Sequence, residues 1–111
     1  MKTRTLRPLL GLALATAFLG AGGASAATTK TVTLKDIKFS PAALKVAKGT
    51  KVNFAFRDGG TTHNVTSTGS KRFKTISNRS AGTQSRTFTA AGTYRYQCTL
   101  HPGMTGRIVV H

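Results

Sequence analysis

Acidic side chains are almost absent from this chain of 111 residues: Asp36 and Asp58 stand against 17 lysines and arginines. Tryptophan is missing, and there is a single cysteine, Cys98. Each shortage removes a class of chemistry. Paired-carboxylate hydrolysis needs two acids facing one cleft, and the local contexts of Asp36 and Asp58 do not suggest it. A lone cysteine cannot close an internal disulfide, nor can it build the multi-cysteine sites of structural zinc or iron–sulfur clusters. No nucleophile elbow, dinucleotide-binding glycine pattern or phosphate-binding loop occurs. The expectation is a protein that is not an enzyme.

Long apolar runs are equally scarce. The one candidate, "LLGLALATAFLGAG", follows the basic "MKTRTLRP" and leads to Ala24-Ser25-Ala26. It is short for a membrane span and rich in small residues. With the A-x-A site it predicts a secretory signal peptide over residues 1–26, cut after Ala26, rather than a retained anchor. No cysteine adjoins that site, and Arg4 and Arg7 are not adjacent, so neither a lipid anchor nor a twin-arginine signal is expected. The protein is expected to be exported, periplasmic or extracellular, with one domain over residues 27–111. Setting aside Lys2, Arg4 and Arg7 leaves 14 positive side chains against two, a net charge of +12. Such a field favours acidic protein partners or peripheral association with an anionic membrane or cell-wall surface, and for an exported domain it ranks nucleic acid last. The plainer reading is a solvated surface, because the lysines mostly alternate with apolar residues.

What is present is a period of two. "TVTLKDIKF" alternates, "ALKVAKGTKVNFAF" reads as two strands about Lys48-Gly49, and Val52, Phe54 and Phe56 share a face. "HNVTS" is a short strand. "TGSKRFKTISNRSAGT" is polar and irregular, the longest connection. "QSRTFTAAGTYRYQC" reads as a hairpin turned at Ala90-Ala91-Gly92, and "TGRIVV" as a last strand. No helical stripe of useful length appears. The expected fold is all-β, a Greek-key sandwich of about seven to eight strands. Phe88 and Tyr96 are expected in its core, and terminal His111 is expected as a disordered surface residue.

Against this frame "YRYQCTLHPGM" stands out. Cys98, His101 and Met104 follow one another at steps of three, and His63 in "TTHNV" is the upstream histidine available to join them. A thiolate, two imidazoles and a weak thioether form the donor set of blue-copper electron-transfer sites. Thiolate binds copper covalently and opens a low-energy route for an electron. Imidazole binds both Cu(I) and Cu(II), and a long thioether contact helps set the potential. Zinc also binds one cysteine and two histidines but gains little from a thioether, so Met104 tips the choice to one copper ion. Taken singly, Cys98 could be an inert core thiol, Met104 core filler and His63 a loop residue. The fixed spacing argues against those readings. Pro102 and Gly103 make the loop tight.

"GTYRYQCTLHPGMTGRIVV", with "HNV" upstream, resembles the cupredoxins of the plastocyanin, pseudoazurin and amicyanin group, with an amicyanin-like short step from Cys98 to Met104. The resemblance covers most of residues 30–111 and is sharpest from Gly82 onward. It implies His63, Cys98 and His101 as strong ligands, Met104 as axial ligand and Asn64 as the residue bracing the ligand loop near the thiolate. It implies a tyrosine corner at Tyr94. His101 would be the exposed edge through which electrons pass, with Pro102 and Gly103 in an apolar docking surface. In short-loop relatives the loop histidine can leave reduced copper and take a proton, which extends to His101 as an expectation. The implied role is a monomeric one-electron carrier serving redox partners with acidic docking surfaces. A copper-delivery protein would use the same ligands, but no methionine-rich or histidine-rich tract supports it. Lys71, Arg72 and Lys74 are either part of such a docking patch or a solvated loop.

Overall fold

The computed structural model describes residues 28–111, so the expected signal peptide lies outside the described residues. Nine strands follow in order: β1 (Thr29–Lys35), β2 (Lys38–Ser40), β3 (Ala43–Val46), β4 (Thr50–Phe56), β5 (His63–Thr68), β6 (Ile76–Arg79), β7 (Thr83–Phe88), β8 (Gly92–Gln97) and β9 (Thr105–Val110). They form two mixed sheets, β3-β9-β8-β5-β6 and β2-β1-β4-β7. The all-β sandwich is the one expected, with nine strands among the described residues rather than about seven to eight. Among the described residues no helix is long and apolar enough to cross a membrane.

The alternation of apolar residues explains the two layers. Val32 and Leu34 of β1, Val52, Phe54 and Phe56 of β4, Phe88 of β7, Tyr96 of β8 and Ile108 of β9 are all buried in one core. Tyr96 is its hub, meeting Phe39 and Phe54 edge-on at centroid distances of 4.8 and 5.5 Å. Opposite Tyr96 in the β8–β9 register stands Gly106. A Cβ there would fall 2.5–2.7 Å from the tyrosine ring and hydroxyl, so the ring occupies the space a side chain would need.

Three local expectations are corrected. "TVTLKDIKF" is not one strand but the hairpin β1–β2, turned at Asp36 (φ 53°) and Ile37 (φ 55°). The polar stretch after β5 holds the short strand β6 and delivers Phe73 to the core, where it packs against Phe88 and Tyr96. The segment "QSRTFTAAGTYRYQC" is no hairpin: β7 pairs with β4 in one sheet, and β8 pairs with β9 and β5 in the other. Alternation on both sides of Ala90–Gly92 marks two strands, but it cannot say that the chain arches between layers. The arch is tied by Tyr94, whose hydroxyl donates to the Ala90 carbonyl at 2.8 Å, a tyrosine corner. His111 is exposed, yet its backbone is held, donating to Val46 O at 3.0 Å and accepting from Lys48 N at 3.1 Å.

The candidate metal centre

β5 and β8 are neighbours in the five-stranded sheet, with Thr66 opposite Gln97. That register sets the start of β5, His63, beside the end of β8, where Cys98 follows. The loop to β9 returns at once. His101, Pro102, Gly103 and Met104 form a turn closed by Met104 N donating to His101 O at 3.1 Å. Proline at its second position and a glycine at φ 85° at its third are the residues a type II turn demands. Cys98 N donates to Met104 O at 2.9 Å, which binds the first and last residues of the loop together.

One donor atom from each of His63, Cys98 and His101 lies within 4.8 Å of the others. The imidazole rings of His63 and His101 stand 4.8 Å apart between centroids. His63, Cys98 and Met104 are buried, and His101 is only half-buried. Met104 shares the apolar cluster that contains Cys98.

Hydrogen bonds decide which ring nitrogens are free. His63 Nε2 lies 2.7 Å from Asp58 Oδ2, and His101 Nε2 lies 3.1 Å from Thr62 O. A carbonyl only accepts, and an ionised carboxylate only accepts, so both protons belong on Nε2 and both Nδ1 lone pairs are left open. His63 Nδ1 is 3.8 Å from Cys98 Sγ. Metal bonds of about 2.0 Å to nitrogen and 2.3 Å to sulfur, set at a trigonal angle, would separate those atoms by about 3.7 Å. The pair therefore fits a shared ion with little adjustment. Soft thiolate with two imidazoles and a buried thioether suits copper better than the harder cations.

Asn64 braces this arrangement from the side. Its Oδ1 accepts from Thr99 N at 3.0 Å and from Thr66 Oγ1 at 2.8 Å, while its Nδ2 donates to Thr99 Oγ1 at 2.8 Å and Asn78 Oδ1 at 2.9 Å. Thr99 directly follows Cys98, so the amide of Asn64 anchors the residue next to the thiol at the start of the loop. Asp58 was missed in the sequence, where it counted only as one of two unpaired acids. It lies five residues before His63, and the Gly59-Gly60 step (φ 57° and 93°) lets the chain turn back between them. The bond to His63, with the backbone amides of Ile37 and Asp36, holds the Asp58 carboxyl below its ordinary range.

Comparison with curated protein sequences gives no match. Solved structures do match. A methionine-to-glutamine variant of amicyanin in its Cu(I) form shares 30% identity at a TM-score of 0.68, over 75% of this chain and 82% of that one. A reduced tryptophan-to-tyrosine variant of amicyanin shares 31% identity at a TM-score of 0.66, over 81% and 87%. A purple cupredoxin from Nitrosopumilus maritimus shares the fold, with 20% identity and a TM-score of 0.62 over 74% of this chain and 99% of that one. The family model of the cupredoxin-like domain matches residues 8–110. The chain belongs to the cupredoxin-like family, whose cofactor is copper.

Proposed function

We propose that this chain is an exported blue-copper protein that carries one electron at a time, with a single copper held by His63, Cys98, His101 and Met104. The observation that carries the reading is the convergence of three nitrogen and sulfur donors within 4.8 Å of one another at one end of the sandwich, His101 alone reaching solvent. Copper, when bound, supplies a one-electron couple between Cu(II) and Cu(I). The residues supply the rest. Nε2 bonds to Asp58 and Thr62 orient the rings of His63 and His101. The closed loop from Cys98 to Met104 fixes donor positions by backbone rather than by the metal. A rigid donor set keeps reorganisation small, because little has to move when charge changes.

His101 is the edge through which electrons pass. Around it Pro102 and Gly103 are exposed, as is the neighbouring Leu100 at 44%. This apolar rim suits a brief contact with a redox partner. The positive charge of the domain favours partners with acidic docking surfaces and steers their approach. Residues 1–26 serve as the export signal.

One absorption spectrum tests the reading. Full-length protein loaded with Cu(II) should show an intense visible thiolate-to-copper band, and Cys98→Ser should abolish it. A colourless copper complex, or a band that survives Cys98→Ser, refutes the assignment.

A further inference from the structure

Of the two carboxylates in the chain, one lies directly behind a ligand histidine. Asp58 Oδ2 is 2.7 Å from His63 Nε2, and it also accepts the Ile37 amide at 3.0 Å, while Oδ1 accepts the Asp36 amide at 3.0 Å. Those two amides belong to the β1–β2 turn, where both residues have positive φ. A β-branched residue such as Ile37 is a rare occupant of that region, and such a conformation persists only where its surroundings over-determine it. The carboxylate of Asp58 provides that constraint, since both amides converge on it. The constraint also runs the other way: two backbone donors pin the carboxylate, so Oδ2 is presented to His63 and not left to rotate. The turn in addition borders the ligand loop, Ile37 and Phe39 lining one cleft with Gly103 and Met104. His63 is fully buried, and the Asp58 side chain is 14% exposed.

We propose that Asp58 is a positioning residue of the metal centre: it holds the Nε2 proton of His63, aims Nδ1 at the site, and sets an anion behind the imidazole that favours the more highly charged metal state. The proposal rests on the copper reading above. A carboxylate bonded to the far nitrogen of a ligating histidine fixes its tautomer and makes the ring a stronger donor. A fixed negative charge lowers the energy of Cu(II) more than that of Cu(I), so the potential should fall. Asp36 serves as an internal control. It sits on the same turn and carries the same charge, but His63 bonds to Asp58.

The test uses the full chain as wild type, Asp58→Asn and Asp36→Asn. In metal-free wild type, nitrogen-detected NMR of the histidine rings should show the His63 proton on Nε2, slow to exchange with water. Asp58→Asn should lose that slow proton. With copper bound, Asp58→Asn should weaken Cu(II) relative to Cu(I) by about tenfold, a rise of about 59 mV for a one-electron couple. Asp36→Asn should leave both readings near wild type. A proton on Nδ1, an unmoved potential, or an equal shift in Asp36→Asn overturns the proposal. If wild type takes up no copper, the copper reading falls, and the metal-free spectra alone decide the positioning role. If Asp58→Asn does not fold, the wild-type tautomer decides it.

Discussion

Replacing Gly106 with alanine puts a single methyl group against the hub of the core. Gly106 has ordinary strand φ, so the backbone would tolerate alanine, and only space forbids it. The added Cβ would lie 2.5 Å from Tyr96 Cε1, 2.6 Å from Cζ and 2.7 Å from the hydroxyl oxygen, below any real contact distance. The ring cannot withdraw easily, because Phe39 and Phe54 close on it from other directions. Overpacking of this kind costs about 1–3 kcal/mol. Alanine in a strand regains roughly 0.5–1 kcal/mol over glycine by restricting the unfolded chain. The net loss is about 1–2 kcal/mol, which for a domain of this size lowers Tm by about 9 °C. Thermal unfolding of the metal-free protein, followed by circular dichroism, measures it. The cause is isolated by a double-mutant cycle: in a Tyr96→Leu background the alanine should cost little, leaving a coupling of about 1–2 kcal/mol. A Gly106→Ala protein as stable as its parent, or a cost that persists unchanged with leucine at position 96, would refute the packing argument.

Other outcomes follow from the same contacts. Asn64→Ala leaves the Thr99 amide without its acceptor at the base of the loop; it should destabilise the metal-free protein by about 1–3 kcal/mol and loosen copper binding by about 10–100-fold, read by denaturation and competitive titration. Tyr94→Phe removes the bond to Ala90 O and should cost about 1 kcal/mol without moving the visible spectrum. Tyr96 is buried, which raises the pKa of its hydroxyl well above 10.0, and among the described residues that hydroxyl has no partner. Above that ordinary value the unfolded chain releases the proton while the folded chain keeps it, so stability should fall with rising pH by up to about 1.4 kcal/mol per unit. Tyr96→Phe should remove this alkaline slope, and an identical slope in both proteins would contradict it. Electron exchange with an acidic partner should slow as salt rises, because screening shortens the reach of the field; stopped-flow rates indifferent to ionic strength would remove the steering role.

The parts legible in the sequence are those whose cause is local. Cys98, His101 and Met104 could be read together because one short loop, residues 98–104, holds them, and a type II turn with its proline and glycine is written in consecutive letters. Val52, Phe54 and Phe56 announce a buried face by spacing alone. What stayed hidden depends on contacts distant in sequence. Nothing near Ala90–Gly92 says that β7 and β8 belong to different layers, since each finds its partner elsewhere in the chain. Strand β6 has four residues and only Ile76 buried, too little for a pattern. Asp58 is identifiable only once Asp36, Ile37 and His63 are seen around it; as a letter it is a loop acid after an arginine.

The placement of β9 has a bearing on how the molecule is made. This strand lies between β3, which it meets in parallel, and β8, which it meets antiparallel. Arg107 aligns with Ala43 and Val110 with Val46, pairings that span most of the described chain. Until β9 emerges, β3 has no neighbour in its sheet and β8 has an open edge. Contacts of such separation fold slowly, because the loop must close before they reward it. The ligand loop hangs between β8 and β9, so Met104 is anchored only when that final strand is seated. A nascent chain would therefore present Cys98 as an unguarded thiol until β9 is paired, and closure of the sheet and the gathering of His63, Cys98, His101 and Met104 would be the same late event.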